Sequence, residues 1–365
     1  GATHRGDLAG RLTDAAATSI SATTGLNAGG YRIGVGRVRD VVTIWQPGGL
    51  GGAAEAWARD VAARAGGRAA MRHRANIDIP APGGWRIPLT LTTVEPATAR
   101  ALLGPTATAA LERREAVLGS AAAQLRQASV GGTIDLIARN GTVHTRRIGA
   151  IVDDARLAWS ELALATADAA TLGVDRPFAV DVWGAPRAQL DRALAASPPQ
   201  PTRLGVDRSW DAPDPDAPLA SVPLKRVVGE VAYRPGRGDG VALDPAWVQR
   251  NIATESVPAL GRVTCHRAML PALRGALTEV VRAGLAHTLG RFGGCYNARL
   301  IRGGDSGGIL SRHSFGIAVD VNVSRNTFGG RVELDGRVVE IFRRWGFAWG
   351  GTWVRADGMH LEWSP

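Results

Sequence analysis

Lysine is all but missing. Lys225 is the only one in 365 residues, so the positive charge rests almost wholly on arginine, as a GC-rich coding bias would produce. The net charge of +10 invites a nucleic-acid reading. The chain has no block of five basic residues, however, and few aromatics interleaved with its arginines, which sets that class aside. A basic surface suits an anionic polymer equally well. An apolar run of about eighteen residues is also absent, so nothing in the sequence reads as a membrane-spanning helix. The first residue is Gly1 instead of Met, which leaves room for a signal peptide or membrane anchor upstream. Cysteine is limited to Cys265 and Cys295, whose spacing matches no CxxC metal or redox motif. An even pair in a chain read as exported points to one disulfide and an extracytoplasmic location, two buried free thiols being the alternative.

What the sequence does have is enough apolar residue for packed cores. Hydrophobic residues make up 45% and charged residues 21%, a globular balance, and the length suits two domains. The boundary falls at 197–223, where seven prolines alternate with Asp211, Asp214 and Asp216. Proline fixes φ and removes a donor, so this stretch reads as an extended linker and cannot be a helix interior or a central strand. Residues 1–27, rich in Ala, Thr, Gly and Ser, read as a lead-in. Residues 28–196 read as an α+β domain with a docking or regulatory role and an envelope protein as its possible partner.

Within that domain, β-branched stretches around Val35, Val38, Val41, Val42 and Ile44, at 85–94 and at 133–137 predict strands. Arg139-Asn140-Gly141 predicts a hairpin turn into 143–152. Alanine-rich stretches 53–65, 107–128 and 185–196 predict helices. His73 and His144 stand alone and read as packing residues. Residues 224–365 form the second domain. It has a short strand predicted over 227–233, an amphipathic helix from Leu270 through Leu273, Leu277, Val280, Val281 and Leu285, and a basic strand over 298–302.

The chemistry gathers near the C-terminus. His313 and Asp320 lie seven apart in Ser311-Arg312-His313-Ser314-Phe315-Gly316-Ile317-Ala318-Val319-Asp320, and His360 follows in Asp357-Gly358-Met359-His360-Leu361-Glu362-Trp363. Two imidazoles and a carboxylate suit a catalytic Zn2+, which takes three protein ligands and keeps a fourth position open. Ile317–Val323 reads as a strand with Asp320 facing a cleft, and Trp353-Val354 with 360–363 reads as a hairpin. Alternation puts His360 and Glu362 on one face. Asp357, three residues before His360, can take a proton from an attacking water without binding the metal. Glu362 is the rival base, its preferred role being to orient a ligand histidine. Spacing alone does not separate this pattern from chance, because such short matches recur in unrelated chains.

The two blocks together resemble a known family. "SRHSFGIAVDVN" followed by "GFAWGGTWVRADGMHLEW" is similar to peptidoglycan peptidases of the D-alanyl-D-alanine carboxypeptidase family, and within it to L-alanyl-D-glutamate endopeptidases of phage endolysins. Ser311, His313, Gly316, Ala318, Asp320, Asp357 and His360 fit the family pattern over roughly residues 260 to 365. The resemblance implies a small α+β fold like the hedgehog signalling domain, with an antiparallel sheet carrying the site. It implies His313, Asp320 and His360 as zinc ligands, Asp357 as general base, and a peptidoglycan stem peptide as substrate. It also implies an arginine that holds the substrate oxyanion, for which Arg299 fits best and Arg302 is the alternative. Trp349, Trp353 and Tyr296 are candidates to line the same cleft. A catalytically inactive wall-binding or regulatory protein on this fold is the other reading.

Overall fold

A computed structural model of the protein describes residues 40–158, 160–174, 176–301 and 308–365. Arg302, the lead-in 1–27, and Val35 and Val38 lie outside the described residues. The N-terminal half runs β1 (Val41–Trp45), α1 (Gly52–Ala65), β2 (Arg68–Ala81), β3 (Trp85–Val94), α2 (Pro96–Leu102) and α3 (Pro105–Glu112). It continues through β4 (Ala116–Gly119), α4 (Ser120–Leu125), β5 (Thr133–Ile137), β6 (Val143–Val152), β7 (Leu162–Ala165), β8 (Pro177–Trp183) and α5 (Arg187–Ala196). Next come β9 (Gly205–Arg208), α6 (Ser221–Val228), β10 (Tyr233–Pro235), β11 (Val241–Leu243), α7 (Pro245–Asn251), β12 (Ile252–Val257), β13 (Gly261–His266) and α8 (Leu270–Arg282). The chain closes with β14 (Ala318–Asp320), α9 (Gly336–Arg344), β15 (Phe347–Trp349) and β16 (His360–Trp363). Helices and sheets are thus mixed, an α+β architecture.

Eleven strands form one sheet in the order β11-β10-β3-β7-β4-β6-β5-β2-β8-β1-β9, and β2 also pairs with β3. That extra pairing closes β3, β7, β4, β6, β5 and β2 into a ring. Alternate residues from every strand of the ring point into a shared core. Ala75 and Ile77, Leu89 and Leu91, Ala116 and Leu118, Ile134 and Leu136, Ile148, and Leu162 and Leu164 belong to it. A period of two separates this inner set from the outer one, except on β6, where the pairing with β4 slips by one residue and turns Ile148 inward and Ala150 outward. Val117, Ala150, Ala163 and Ala165 face outward and are covered by Ala99, Leu102, Ala107, Ala110 and Leu111 of α2 and α3.

Two predicted elements differ here. The alanine-rich stretch 107–128 is not one helix: Arg114 takes a left-handed φ of 60°, and Ala116–Gly119 becomes the fully buried strand β4. Strand pairing on both sides, parallel to β6 and antiparallel to β7, outweighs a helix propensity worth only tenths of a kcal/mol per residue. Val227 and Val228 end α6 instead of starting a strand, with Val228 buried, and the strand begins later at Tyr233. Pro223 is tolerated because it sits in the first turn of α6, where backbone N–H groups have no helical partner.

The proline-rich stretch carries edge strand β9, paired antiparallel to β1. Its Leu219 joins the C-terminal core beside Leu224, Val228, Leu273, Phe315, Phe342 and Leu361. α8 presents Leu270, Leu273, Ala276, Leu277 and Val280 to that core, as its periodicity predicts, while Val281 is exposed. The two halves also share hydrogen bonds, since β10 pairs with β3 at Tyr233 and Arg86. Beside the hairpin β12–β13 lies a small antiparallel sheet in the order β14-β16-β15. That three-stranded sheet positions the candidate site. The strand predicted over 317–323 is shorter than expected, and the partners of β16 are β14 and β15, not Trp353-Val354.

Candidate metal centre

The segment before β14 is a 3-10 turn, Arg312–Phe315, and Ser311 caps it by accepting a hydrogen bond from the His313 N–H at 3.3 Å. Ser311 therefore shapes the loop that carries His313. Gly316 ends the turn with a φ of 67°, and a Cβ there would come within 2.7 Å of the His266 nitrogen. Both constraints demand glycine. The turn aims His313 inward, where its Nδ1 donates to the Cys295 carbonyl at 2.8 Å. This fixes the tautomer and leaves Nε2 as the free lone pair. Nε2 is buried with no hydrogen-bond partner.

Asp320 ends β14 directly opposite His360 on β16. Its two oxygens divide between the histidines: Oδ2 lies 3.2 Å from His313 Nε2, and Oδ1 lies 3.2 Å from His360 Nδ1. The other imidazole nitrogen of His360 lies 3.2 Å from Glu362 Oε2, so the alternation expected along β16 holds. One potential ligand atom from each of His313, Asp320 and His360 lies within 4.8 Å of the others. Burial disfavours a charged His360, but Asp320 and Glu362 outweigh it and push its pKa up to about 10. Burial likewise opposes the Asp320 carboxylate, and the two imidazoles that face it, His313 and His360, overcome it, leaving its pKa below the usual range. Two carboxylates around one imidazole make a place that draws a cation.

The residues fit a metal ion on their own terms. The orphaned His313 Nε2, the His360 Nδ1 and the Asp320 carboxylate form an N,N,O donor set, and the second nitrogen of each histidine is tied to an acceptor. Asp357 stands beside this set in the turn leading to β16. Its N–H donates to the Gly350 carbonyl at 2.8 Å and its carbonyl accepts from the His360 N–H at 3.1 Å. The Asp357 Oδ1 is buried without a partner. Burial raises its pKa, and the nearby Asp320 adds to the rise, against the pull of His360, His313 and Arg299.

Residues 304–363 match the family model of D-alanyl-D-alanine carboxypeptidase. The peptidase match takes in both sequence blocks and bears out the resemblance read from them. It covers the C-terminal region alone, and no curated protein matches the chain.

Arg299 is close enough to Asp357 to influence it, and its backbone is locked by Ser314, whose hydroxyl accepts from the Arg299 N–H and donates to its carbonyl. Tyr296 is half-buried, and its N–H donates to Thr264 at 2.9 Å. The indole N–H groups of both cleft tryptophans are used internally: Trp349 donates to Gly358 at 3.0 Å and Trp353 to Asp216 at 2.7 Å. Trp353 also packs on His360, with ring centroids 5.3 Å apart. Glycines crowd this loop because a Cβ on Gly350 would meet the Asp357 carbonyl at 2.6 Å, and one on Gly351 the Trp349 ring at 2.2 Å.

Cys265 and Cys295 form the disulfide expected of them. It anchors the residue whose carbonyl orients His313. Sequence reasoning missed Asp216, Arg312 and Asn326. Arg312 lies 3.5 Å from Glu362. Asn326 is fully buried and abuts Gly358, where a Cβ would meet its Oδ1 at 2.5 Å. No helix among the described residues is long and apolar enough to cross a membrane.

Proposed function

We propose that the C-terminal region is a zinc-dependent peptidase that hydrolyses an amide bond in peptidoglycan stem peptides outside the cytoplasm. The bond is either the D-Ala-D-Ala terminus or an L-Ala-D-Glu linkage. The observation that carries the reading is the buried convergence of His313, Asp320 and His360 beside a partnerless Asp357 oxygen, inside the peptidase match. On this reading residues 224–365 are the peptidase unit, similar in fold to the hedgehog signalling domain. Residues 28–196 dock or regulate it through an envelope partner, and 197–223 connect the two.

His313 Nε2, Asp320 and His360 Nδ1 would hold the ion. Bound there, zinc would polarise the scissile carbonyl and acidify water. Asp357 accepts a proton from the attacking water at Oδ1 and returns it to the departing amine. Its burial beside the ligand set leaves Oδ1 without a protein partner and so open to that proton. Glu362 keeps His360 oriented by holding Nε2. Arg299 offers fixed positive charge to the oxyanion that develops on the carbonyl. The disulfide and the family match support an extracytoplasmic setting.

The test is digestion of purified peptidoglycan with and without a chelator, the released fragments being identified by mass spectrometry. Peptide fragments that appear only without chelator, and return on adding zinc, support the reading. Cleavage that survives prolonged chelation overturns the mechanism.

A further inference from the structure

Asp216 belongs to the proline-rich stretch, yet it is only 1% exposed and its carboxylate is saturated by groups of the C-terminal region. Oδ1 accepts from Arg343 Nε at 3.0 Å and from the Trp349 N–H at 3.1 Å. Oδ2 accepts from Arg343 Nη2 and from the Thr352 hydroxyl, the latter at 3.0 Å. The Asp216 carbonyl accepts the Trp353 indole N–H at 2.7 Å, and Trp353 lies against His360. One residue therefore grips Trp349, Thr352 and Trp353, the whole turn over the candidate centre.

That turn in turn holds the base. The Asp357 N–H donates to Gly350, and the Trp349 indole donates to Gly358, so both sides of the Asp-Gly-Met turn hang from the residues Asp216 fixes. Three residues on, the Leu219 N–H donates to Glu362 Oε1 at 3.3 Å, and the Leu219 carbonyl accepts from Arg312. Glu362 is the group that holds His360 Nε2. The same short strap reaches the candidate centre by two routes.

We propose that Asp216 is a positioning residue of this site, holding Trp353 against His360 and the Trp349–Thr352 turn beneath Asp357. The proposal rests on reading His313, Asp320 and His360 as the metal centre. A buried carboxylate could serve fold stability alone, so the test needs readouts that simple stability does not move. Cobalt(II) titration of the full chain gives a visible spectrum and, by chelator competition, an affinity. Peptidoglycan hydrolysis gives kcat, KM and the pH profile. Wild type, Asp216→Ala, Asp216→Asn and the exposed control Asp211→Asn are compared.

Asp216→Ala is expected to alter the cobalt spectrum, to weaken metal binding by about tenfold or more, the effect typical of losing outer support to ligands, and to lower kcat with little change in KM. Both variants keep the backbone carbonyl to Trp353, but Asp216→Asn also keeps one side-chain oxygen as an acceptor for the Trp349–Thr352 turn and is expected to recover part of each loss. Asp211→Asn should match wild type. A folded Asp216→Ala with wild-type spectrum, affinity and kcat overturns the proposal. If the alanine variant does not fold, a wild-type spectrum and pH profile in Asp216→Asn overturns it. A wild-type chain that takes up no metal is a different result, which removes the proposed function together with this inference.

Discussion

Two buried side chains give the sharpest expectations at the scale of a single residue. Asp357 must be ionised to take a proton, and burial lifts its pKa above that of an ordinary carboxylate. The kcat should therefore fall at acid pH as the Asp357 carboxylate takes up a proton, and Asp357→Ala should remove that limb. Asp357→Ala should lower kcat by about 10²- to 10⁴-fold, the usual weight of a general base, while the folding midpoint changes little. His266 is the second case. It is buried, its Nδ1 accepts from the Ala268 N–H, and burial lowers its pKa to about 4. The unfolded chain then binds the extra proton between about pH 6.5 and 4, so this group's contribution to stability is intact above that window and lost as the pH falls through it. Denaturation midpoints measured at several pH values should show a shallower acid decline for His266→Gln than for wild type. An identical slope would remove His266 from the account.

Individual turns and strands decide whether the ligands meet. The 3-10 turn at Arg312–Phe315 works because Gly316 can take a positive φ against the end of β13. Gly316→Ala should cost at least about 1–2 kcal/mol from the backbone conformation alone, with the contact at His266 adding to it. Chemical denaturation reads the stability and metal titration the site. α8, the β5–β6 hairpin, and the placing of His360 and Glu362 on one face of β16 were legible in the sequence. Each is set by local rules: a 3.6-residue period, an Asn-Gly turn, a two-residue alternation. What local rules could not show was the partner of each strand. Ala116–Gly119 lies inside an alanine-rich stretch that reads as helix and becomes a strand because β6 and β7 flank it. Trp353 looked like a strand residue and instead folds down onto His360. Asp216, set among prolines, resembled any solvated aspartate, since nothing nearby in sequence announces Arg343 or Trp349.

For the whole molecule, the notable feature is how the two halves join. The only lysine is buried at that junction: Lys225 on α6 donates to the Pro88 carbonyl and to Glu161, both at 2.7 Å, and to Glu230 at 2.9 Å. Glu161 is 1% exposed, so removing Lys225 leaves a buried charge with only the longer Arg126 contact, at 3.4 Å, to balance it. Lys225→Ala is expected to lower stability by up to about 3 kcal/mol in urea denaturation, Arg126 offsetting part of the loss. A change near zero would show that the junction does not depend on the ion pair. Because α6 follows directly on the strap that carries Asp216 and Leu219, the ring of strands and the candidate centre are mechanically continuous. The most direct test of the account is the metal content of the purified full chain after zinc loading and gel filtration, measured by elemental mass spectrometry. The account predicts one zinc per chain in wild type and in Asp357→Ala, and none in His313→Ala; a wild-type chain without zinc, or a His313→Ala chain that keeps it, would contradict the assignment of His313, Asp320 and His360.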